Sequence, residues 1–258
     1  MIDTRGHPTL PVDGLATITL PELAASAALT RRHDAKYVVS RAQLPALIAA
    51  VGTRMRVLDV DGRRCSAYLS VYFDTPDLRT YRDHVMGRRR RFKLRTRHYG
   101  DPSATMLELK LKSGSGQTLK FRWPHDDAPE VLGATGYERA AATLEAEYGM
   151  ALPGGLEPVI STAYRRTTLV DVDAGERVTI DEDLTIRSHE REIRLGADVA
   201  VVEAKAVGIR GTGVRALGEL GLRPDQISKY CVAIAASYED VRGNPWLPVL
   251  RQMVPTDG

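Results

Sequence analysis

The sequence predicts an α+β fold built on an antiparallel β-sheet, and three observations point to it. Strand-like alternation of apolar and polar residues recurs along most of the 258 residues. The connections between these stretches are mostly of hairpin length, shorter than the crossover a parallel pair needs. Helical periodicity is confined to a few short stretches, and the clearest of them, Tyr137 to Tyr148, stands between two runs of strands.

Residues 1–17 carry Pro and Gly without periodicity and read as an N-terminal tail. Thr19-Leu20-Pro21-Glu22 has the form of a capping box with Pro in the first turn, which predicts a short helix with Leu23, Ala27 and Ala28 as a weak apolar stripe. Residues 36–39 and 67–73 are rich in Tyr, Val and Phe and read as strands, with a helix starting near Ser40 between them. Thr75-Pro76-Asp77 reads as a turn. Alternation returns over 89–99, 105–112 and 117–123, and Ser113-Gly114-Ser115-Gly116 makes the last two a hairpin. In the helix from Tyr137, residues Ala140, Ala141, Leu144 and Tyr148 share one face and Gly149 supplies the stop. Strands follow at 159–171, 176–181, 184–187, 190–195 and 199–206, then helices near 213–220 and 230–241. The chain from Gly243 reads as irregular. No repeat appears, and no linker divides the chain, so a single domain over 18–242 is expected between tails 1–17 and 243–258.

Composition excludes several classes. Apolar residues make up 43% and charged residues 27%, the balance of a globular chain and not of a disordered one. Apolar runs such as Cys231 to Ala236 fall far short of the ~20 residues a membrane helix needs. No basic start followed by an apolar core marks a secretory signal. Cys65 and Cys231 are far apart and give neither a metal-ligand spacing nor a disulfide framework, so both read as small apolar residues and a cytoplasmic setting is expected. The net charge is only +3, but its distribution is uneven: Arg88 to Arg97 holds seven bases and no acid.

Residues two apart in a strand share a face, and charges here keep one parity. Arg89, Arg91, Lys93, Arg95 and Arg97 lie opposite Phe92 and Leu94. Glu108, Lys110 and Lys112 oppose Leu107, Leu109 and Leu111, and Lys120 with Arg122 opposes Leu119, Phe121 and Trp123. Arg177, Thr179 and Asp181 oppose Val178 and Ile180, Glu203 and Lys205 oppose Val202 and Ala204, and Arg32, Asp34 and Lys36 stand together. An antiparallel sheet with one face in water accounts for any one of these strands. Bases roughly 6.6 Å apart repel by on the order of 2.5 kcal/mol at an effective dielectric near 20, and by far less in open water. The repetition over five strands points instead to charged faces converging on one cavity that holds a multiply charged anion and a divalent metal. Aromatic residues are 6% of the chain and those of the strands fall mostly on the opposite parity, which argues against nucleic acid. Neither GxxxxGK[ST] nor GxGxxG occurs, so side chains, not a glycine-rich turn, would grip phosphate. Glu203 and Glu108, then Asp181, are the carboxylates suited to a hard cation, with a salt bridge to Lys205, Lys110 or Arg177 as the plainer role for each. His33, His84 and His98 read as flanking or exposed residues and not as catalysts.

The residues that carry this charge pattern also form a series. Asp34-Ala35-Lys36-Tyr37, Ser70 to Leu78, Arg91 to Gly100, Leu107-Glu108-Leu109-Lys110, Tyr164-Arg165-Arg166, Arg177 to Asp181, Val202-Glu203-Ala204-Lys205 and Ser228-Lys229-Tyr230 follow one another in an order and spacing that resembles the VTC domain. That is the polyphosphate polymerase domain of the vacuolar transporter chaperone family, a branch of the triphosphate tunnel metalloenzymes that also include CYTH domains. The resemblance covers about residues 18–240. It implies a closed antiparallel barrel of about eight strands, helices packed outside, and a charged tunnel that binds ATP or another triphosphate with Mn2+ or Mg2+. It implies transfer of the terminal phosphoryl group to phosphate or polyphosphate. Carried across by motif, Lys36, Arg95, Arg97 and Lys229 would act at the reacting phosphates. Lys120, Arg166 and Arg177 would bind phosphates, with Lys93, Lys110 and Lys205 as further contacts by parity. Glu203 would hold the metal, and Arg91 would lie near a mouth.

One departure bears on mechanism. Hydrolytic members of the superfamily open with ExExK, whereas the equivalent positions here are Arg32, Asp34 and Lys36. Replacing the first carboxylate by a base favours transfer to an anionic acceptor over activation of water. A tunnel triphosphatase and a non-catalytic polyphosphate sensor stand as alternatives. No nucleic-acid partner and no membrane span are expected, and oligomeric state is left open.

Overall fold

The computed structural model describes residues 10–26, 33–100, 104–112, 118–206 and 211–253. Eleven strands and seven α-helices are formed among them. In chain order they are β1 (Thr17–Ile18), α1 (Leu20–Ser26), β2 (His33–Ser40), α2 (Leu44–Val51), β3 (Arg56–Leu58), β4 (Ser66–Asp74), α3 (Arg79–Val85), β5 (Arg91–Tyr99), β6 (Ala104–Lys112), β7 (Thr118–Pro124) and α4 (Gly133–Tyr148), then β8 (Glu157–Asp171), β9 (Glu176–Arg187), β10 (Glu192–Arg194), β11 (Val199–Ala206), α5 (Thr212–Glu219), α6 (Lys229–Ser237) and α7 (Leu247–Met253). The fold is α+β and the main sheet is antiparallel throughout, in the order β2-β11-β9-β8-β4-β5-β6-β7. Among the described residues, the only parallel pairing is the short β1 against β3.

The sheet is not closed by hydrogen bonds: among the described residues no pairing joins the end strands β2 and β7. This replaces the closed barrel expected above with a curled sheet that has a seam. The outer edge of β2 is engaged instead by the stretch before α6, where Asp225 donates its N–H to the Lys36 carbonyl at 2.7 Å and accepts from the Val38 N–H through Oδ2 at 3.1 Å. The edge of β7 carries Lys120, Arg122 and Pro124, all exposed, residue types that discourage edge-to-edge pairing.

The convex side is apolar and covered by helices. α2 turns Leu44, Leu47, Ile48 and Val51 inward at helical spacing, and with Leu217 of α5 they bury Tyr37, Val39, Val202, Val178 and Ile180. α4 lays Ala140, Leu144 and Tyr148 over Phe92, Leu94, Leu107, Leu109 and Leu111. It starts at Gly133, earlier than helix propensity suggests. Gly136 is packed so closely on the sheet that an added Cβ would stand 3.4 Å from the Leu107 Cδ2. Gly149 ends the helix at φ 61°, a conformation glycine adopts without strain.

The expectation that every helix packs outside fails for α6. Its residues Tyr230, Val232, Ala233 and Ile234 share a core with Val38, Val201, Tyr72, Ile160 and Tyr164, which belong to the charged parity of their strands. The concave face is therefore apolar at one end, where α6 plugs it, and charged over the rest. β9 shows how the parity is preserved: 176–187 is one strand, not two, and its register slips near Asp183, which has φ 56°. The extra residue turns Leu184 and Ile186 to the same side as Arg177, Thr179 and Asp181.

Several elements differ from the sequence reading. The capping box at Thr19 and Glu22 forms, with the Thr19 N–H donating to Glu22 Oε2 at 2.7 Å and the Glu22 N–H to Thr19 Oγ1 at 3.4 Å. Strand β3 and helix α3 were unexpected. α3 is only seven residues long and is nucleated by Asp74, six positions ahead of Thr80: the buried carboxylate accepts from the Thr80 and Tyr81 N–H groups at 2.9 and 3.0 Å and from the Tyr230 hydroxyl. That last bond ties the plug helix to the end of β4. Residues 244–253, expected to be irregular, form a 3-10 turn and α7, because Val249 and Met253 reach the core around α6. The last helix before them ends at Ser237, short of the expected 241. The expected turn at 113–116, and Arg32 with the first carboxylate position, lie outside the described residues.

Candidate functional site

The charged part of the concave face brings together residues singled out by parity with Arg166 and Lys229, which the family resemblance supplied. Lys36 (β2) and Lys205 (β11) both meet Glu203 (β11), at 2.8 and 3.1 Å and on the same oxygen, Oε1. Lys205 also contacts Asp34 at 3.1 Å, and Arg177 (β9) stands directly opposite Lys205 in the register. Asp181 (β9) takes a two-pronged contact from Arg166 (β8), at 2.6 and 2.7 Å, and the Nζ of Lys229, the first residue of α6, at 2.5 Å. Glu108 (β6) accepts from Arg95 (β5) through Nε and Nη2 at 2.8 and 2.6 Å and lies 2.8 Å from the Nζ of Lys120 (β7). Arg97 and Arg122 stand farther off, at 3.9 and 4.0 Å. Lys93 reaches across to α6, donating to Ser228 Oγ at 2.7 Å.

Charges also sense one another across the seam. Burial lowers Lys110 to about 8, and the cations Lys93, Lys36 and Lys205 add to the shift while Glu203 opposes it. Lys36 and Lys205 come from β2 and β11, at the far end of the sheet from β6, so the strands curl until their faces look at each other. Lys110 and Lys120 remain open to water while ringed by protein, the condition of side chains lining a wide hollow. Burial also brings Lys120 to about 8, with Glu108 opposing and Arg95 and Arg97 contributing.

The carboxylates are held ionised by this surplus of base. Burial would raise each of them, but Arg95, Arg97 and Lys120 hold Glu108 far below the usual range. Arg166 and Lys229 do the same for Asp181, and Lys205 and Lys36 for Glu203. Such carboxylates are weak proton acceptors near neutral pH. His84, half-buried in α3 beside Lys93 and Arg91, is lowered to about 3 by burial first and then by Lys93, so it stays neutral. His98 contacts Thr105 at 3.0 Å; the His33 side chain lies outside the described residues.

Tyrosines on the concave face were missed. The expectation that aromatic residues keep to the other parity is corrected by Tyr68, Tyr72, Tyr99 and Tyr164. Arg166 lies 5.1 and 5.2 Å from the rings of Tyr68 and Tyr164, and Lys229 lies 4.9 Å from that of Tyr164. Arg95 donates to the Tyr72 hydroxyl at 2.9 Å, and Arg122 lies 5.0 Å from the Tyr99 ring. The signal was present: Tyr164 stands two residues before Arg166 on one strand. Burial opposes ionisation of Tyr164, yet Arg97 and Arg166 lower its hydroxyl below the ordinary phenol value.

Several buried polar atoms on this face have no hydrogen-bond partner among the described residues: Arg97 Nε, Tyr164 Oη, Thr179 Oγ1, Ser70 Oγ and Thr162 Oγ1. Arg97 is 9% exposed and Tyr164 4%. Buried donors are ordinarily satisfied, and a cluster of unsatisfied ones facing a cationic hollow is suited to an anion with many oxygens.

No three His, Cys, Asp or Glu side chains come together among the described residues. A divalent cation here would lean on one carboxylate and on phosphate oxygens of a ligand, an arrangement magnesium commonly takes. Glu203 fits that role: its side chain is 16% exposed, and both lysines approach a single oxygen. Asp181 and Glu108 are 1% and 2% exposed and face guanidinium forks.

A testable consequence follows from the two lysines near 8. A bound polyanion favours their charged forms and raises both. Affinity for inorganic triphosphate is therefore expected to be full below pH 8 and to fall as pH rises above it, with proton uptake on binding near pH 8–9 measured by calorimetry in buffers of different ionisation enthalpy. Binding without proton exchange would place the anion away from Lys110 and Lys120.

Comparison with known proteins gives one family match: the VTC domain model matches residues 31–238. No protein of curated function matches the sequence. Similar solved structures include a candidate adenylate cyclase from Bacillus halodurans, at 12% identity and TM-score 0.46, covering 81% of this chain and 100% of its own. A protein from Pyrococcus horikoshii OT3 shows 12% identity and TM-score 0.45, covering 79% of this chain and 96% of its own. A candidate adenylate cyclase from Vibrio parahaemolyticus shows 13% identity and TM-score 0.43, covering 77% and 95%. No helix among the described residues is long and apolar enough to cross a membrane.

Proposed function

The chain belongs to the VTC domain family, and from that premise we propose that it is a polyphosphate polymerase that moves the terminal phosphoryl group of ATP onto phosphate or a polyphosphate chain. The observation that carries this reading is the concave face itself, where bases from seven strands and α6 outnumber carboxylates and buried donors face the hollow unpaired.

Two cationic groups share the hollow. Arg97, Arg166 and Lys229 surround the Tyr164 hydroxyl, while Lys36, Lys93 and Lys205 surround Lys110. A donor triphosphate across one and an anionic acceptor in the other would be brought together against their own repulsion, which is the main obstacle to such a transfer. An acceptor oxygen forms the new bond to the terminal phosphorus. The bond from that phosphorus to the bridging oxygen breaks, and ADP leaves with the electron pair. Arg95, Arg97 and Arg166 would bind equatorial oxygens whose charge grows in the transition state. Arg177, Lys120 and Lys205 are read as phosphate contacts farther along the face. Glu203 would hold a divalent cation, whose positive charge would offset the charge on the leaving diphosphate.

The choice of transfer over hydrolysis rests on the carboxylates. Glu108, Asp181 and Glu203 are each held ionised by two or more bases, so none is matched to accept a proton from water, whereas a phosphate oxygen needs no such help. A cytoplasmic setting is in keeping with two free cysteines. The test is direct: purified protein incubated with ATP and Mn2+ should produce ADP and acid-labile chains. ADP with free phosphate alone would favour a triphosphatase. Ligand-induced thermal stabilisation without turnover under any metal would favour a polyphosphate sensor.

A further inference from the structure

The basic surface does not stop where the hollow stops. On β5 and β6 the register sets Arg95 opposite Glu108, then Lys93 opposite Lys110, then Arg91 opposite Lys112. β7 adds Lys120 opposite Lys110. Directly opposed like charges destabilise a sheet, and here three such contacts follow one another outward from Glu108 with no acid between them. Beyond Arg91 the strip runs into the turn after α3, where Arg88, Arg89 and Arg90 are exposed. Part of the turn is held in shape: Arg90 donates to the Tyr148 carbonyl at 2.9 Å and Arg91 to the Arg88 carbonyl. From Arg97 to Arg91 the strand alone covers roughly 20 Å at its usual rise. A ligand of three phosphates that fills the hollow leaves the outer part of this strip uncovered.

We infer that Arg88, Arg89, Arg91 and Lys112 form a binding track outside the hollow for a long, unbranched phosphate chain, holding the part that three phosphates do not reach. The inference rests on the reading of the hollow as a phosphate site and adds the polymer as a ligand of the adjoining surface. A flexible chain with a charge at every repeat matches a row of bases on one strand face and one turn. Nucleic acid matches it less well, because no aromatic side chain interrupts the row from Arg88 to Arg91 for a base to stack on.

The test compares inorganic triphosphate, a polyphosphate of about sixty units and a single-stranded oligonucleotide of equal charge on the full chain, with the double variant Arg88→Ser, Arg89→Ser. Both residues are exposed, and neither has a role assigned inside the hollow. The double variant is expected to bind the long chain about tenfold more weakly. Its slope of log affinity against log salt should fall by more than one unit, and triphosphate affinity should stay within twofold of the parent. The variant Arg88→Lys, Arg89→Lys should retain most of the long-chain affinity. Parent-like binding of the long chain by the serine variant would overturn the track, as would equal binding of triphosphate and long chain by the parent, or equal competition by the oligonucleotide. Loss of triphosphate binding in the parent, with long-chain binding still dependent on Arg88 and Arg89, would sink the reading of the hollow and leave the track standing.

Discussion

Glu203→Gln is expected to reduce metal-dependent phosphoryl transfer by about 100-fold or more, close to 3 kcal/mol of lost transition-state stabilisation, while triphosphate still binds. The substitution keeps the size of the side chain and an acceptor for Lys36 and Lys205, at 2.8 and 3.1 Å, but removes the charge a divalent cation would need. It also releases two ammonium groups from the carboxylate they share. Without metal, triphosphate affinity should therefore be equal to or greater than that of the parent. Turnover across a Mn2+ titration, paired with binding in chelator, separates the effects: kcat should collapse while binding holds. Parent-like kcat in the variant would take the metal away from Glu203.

Glu108→Gln is expected to lower the stability of the ligand-free protein by about 3–5 kcal/mol, because it leaves the buried Arg97 and half-buried Arg95 guanidinium groups without their counter-charge. The glutamate is 2% exposed and is the common partner of Arg95 and Lys120. Unlike an ordinary buried ion-pair lesion, this one should be repaired from outside, since triphosphate restores negative charge to the same hollow. Urea unfolding with and without millimolar triphosphate is the measurement. A large loss that triphosphate leaves untouched would mean the ligand does not reach Arg95. Acid should act in the same direction. The folded values of Glu108, Asp181 and Glu203 are depressed, so the stability they contribute is full above the unfolded carboxylate range, near pH 4. It is lost as pH falls below that range through the folded values.

The charged surface was legible in the sequence because strand geometry converts alternation into direction without further information. Arg95, Glu108, Lys120, Asp181, Glu203 and Lys205 could be assigned to one side from spacing alone, and they meet there; Arg166 came from the family resemblance. What spacing could not convey was curvature, which depends on how eight strands coil together. The seam between β2 and β7 and the plug formed by α6 were therefore out of reach. The slip at Asp183 was read as a gap between two strands, since a single residue at positive φ leaves no periodic trace. The α3 helix was hidden for a related reason: its cap is Asp74, a strand residue six positions upstream of Thr80, outside the window in which caps are ordinarily sought. The tyrosines escape any reading averaged over strands, because the parity of each one decides its face.

The missing pairing between the first and last strands of the sheet has a mechanical consequence. A barrel laced all round by backbone bonds has a fixed girth. Among the described residues no such lacing joins the two margins, while Lys36 and Lys205, paired with Glu203, stand within electrostatic reach of Lys110, so an anion held between them would attract both margins at once. With no backbone hoop among the described residues to fix its circumference, the bore of the hollow is set by side chains and by the stretch before α6 that lies along β2.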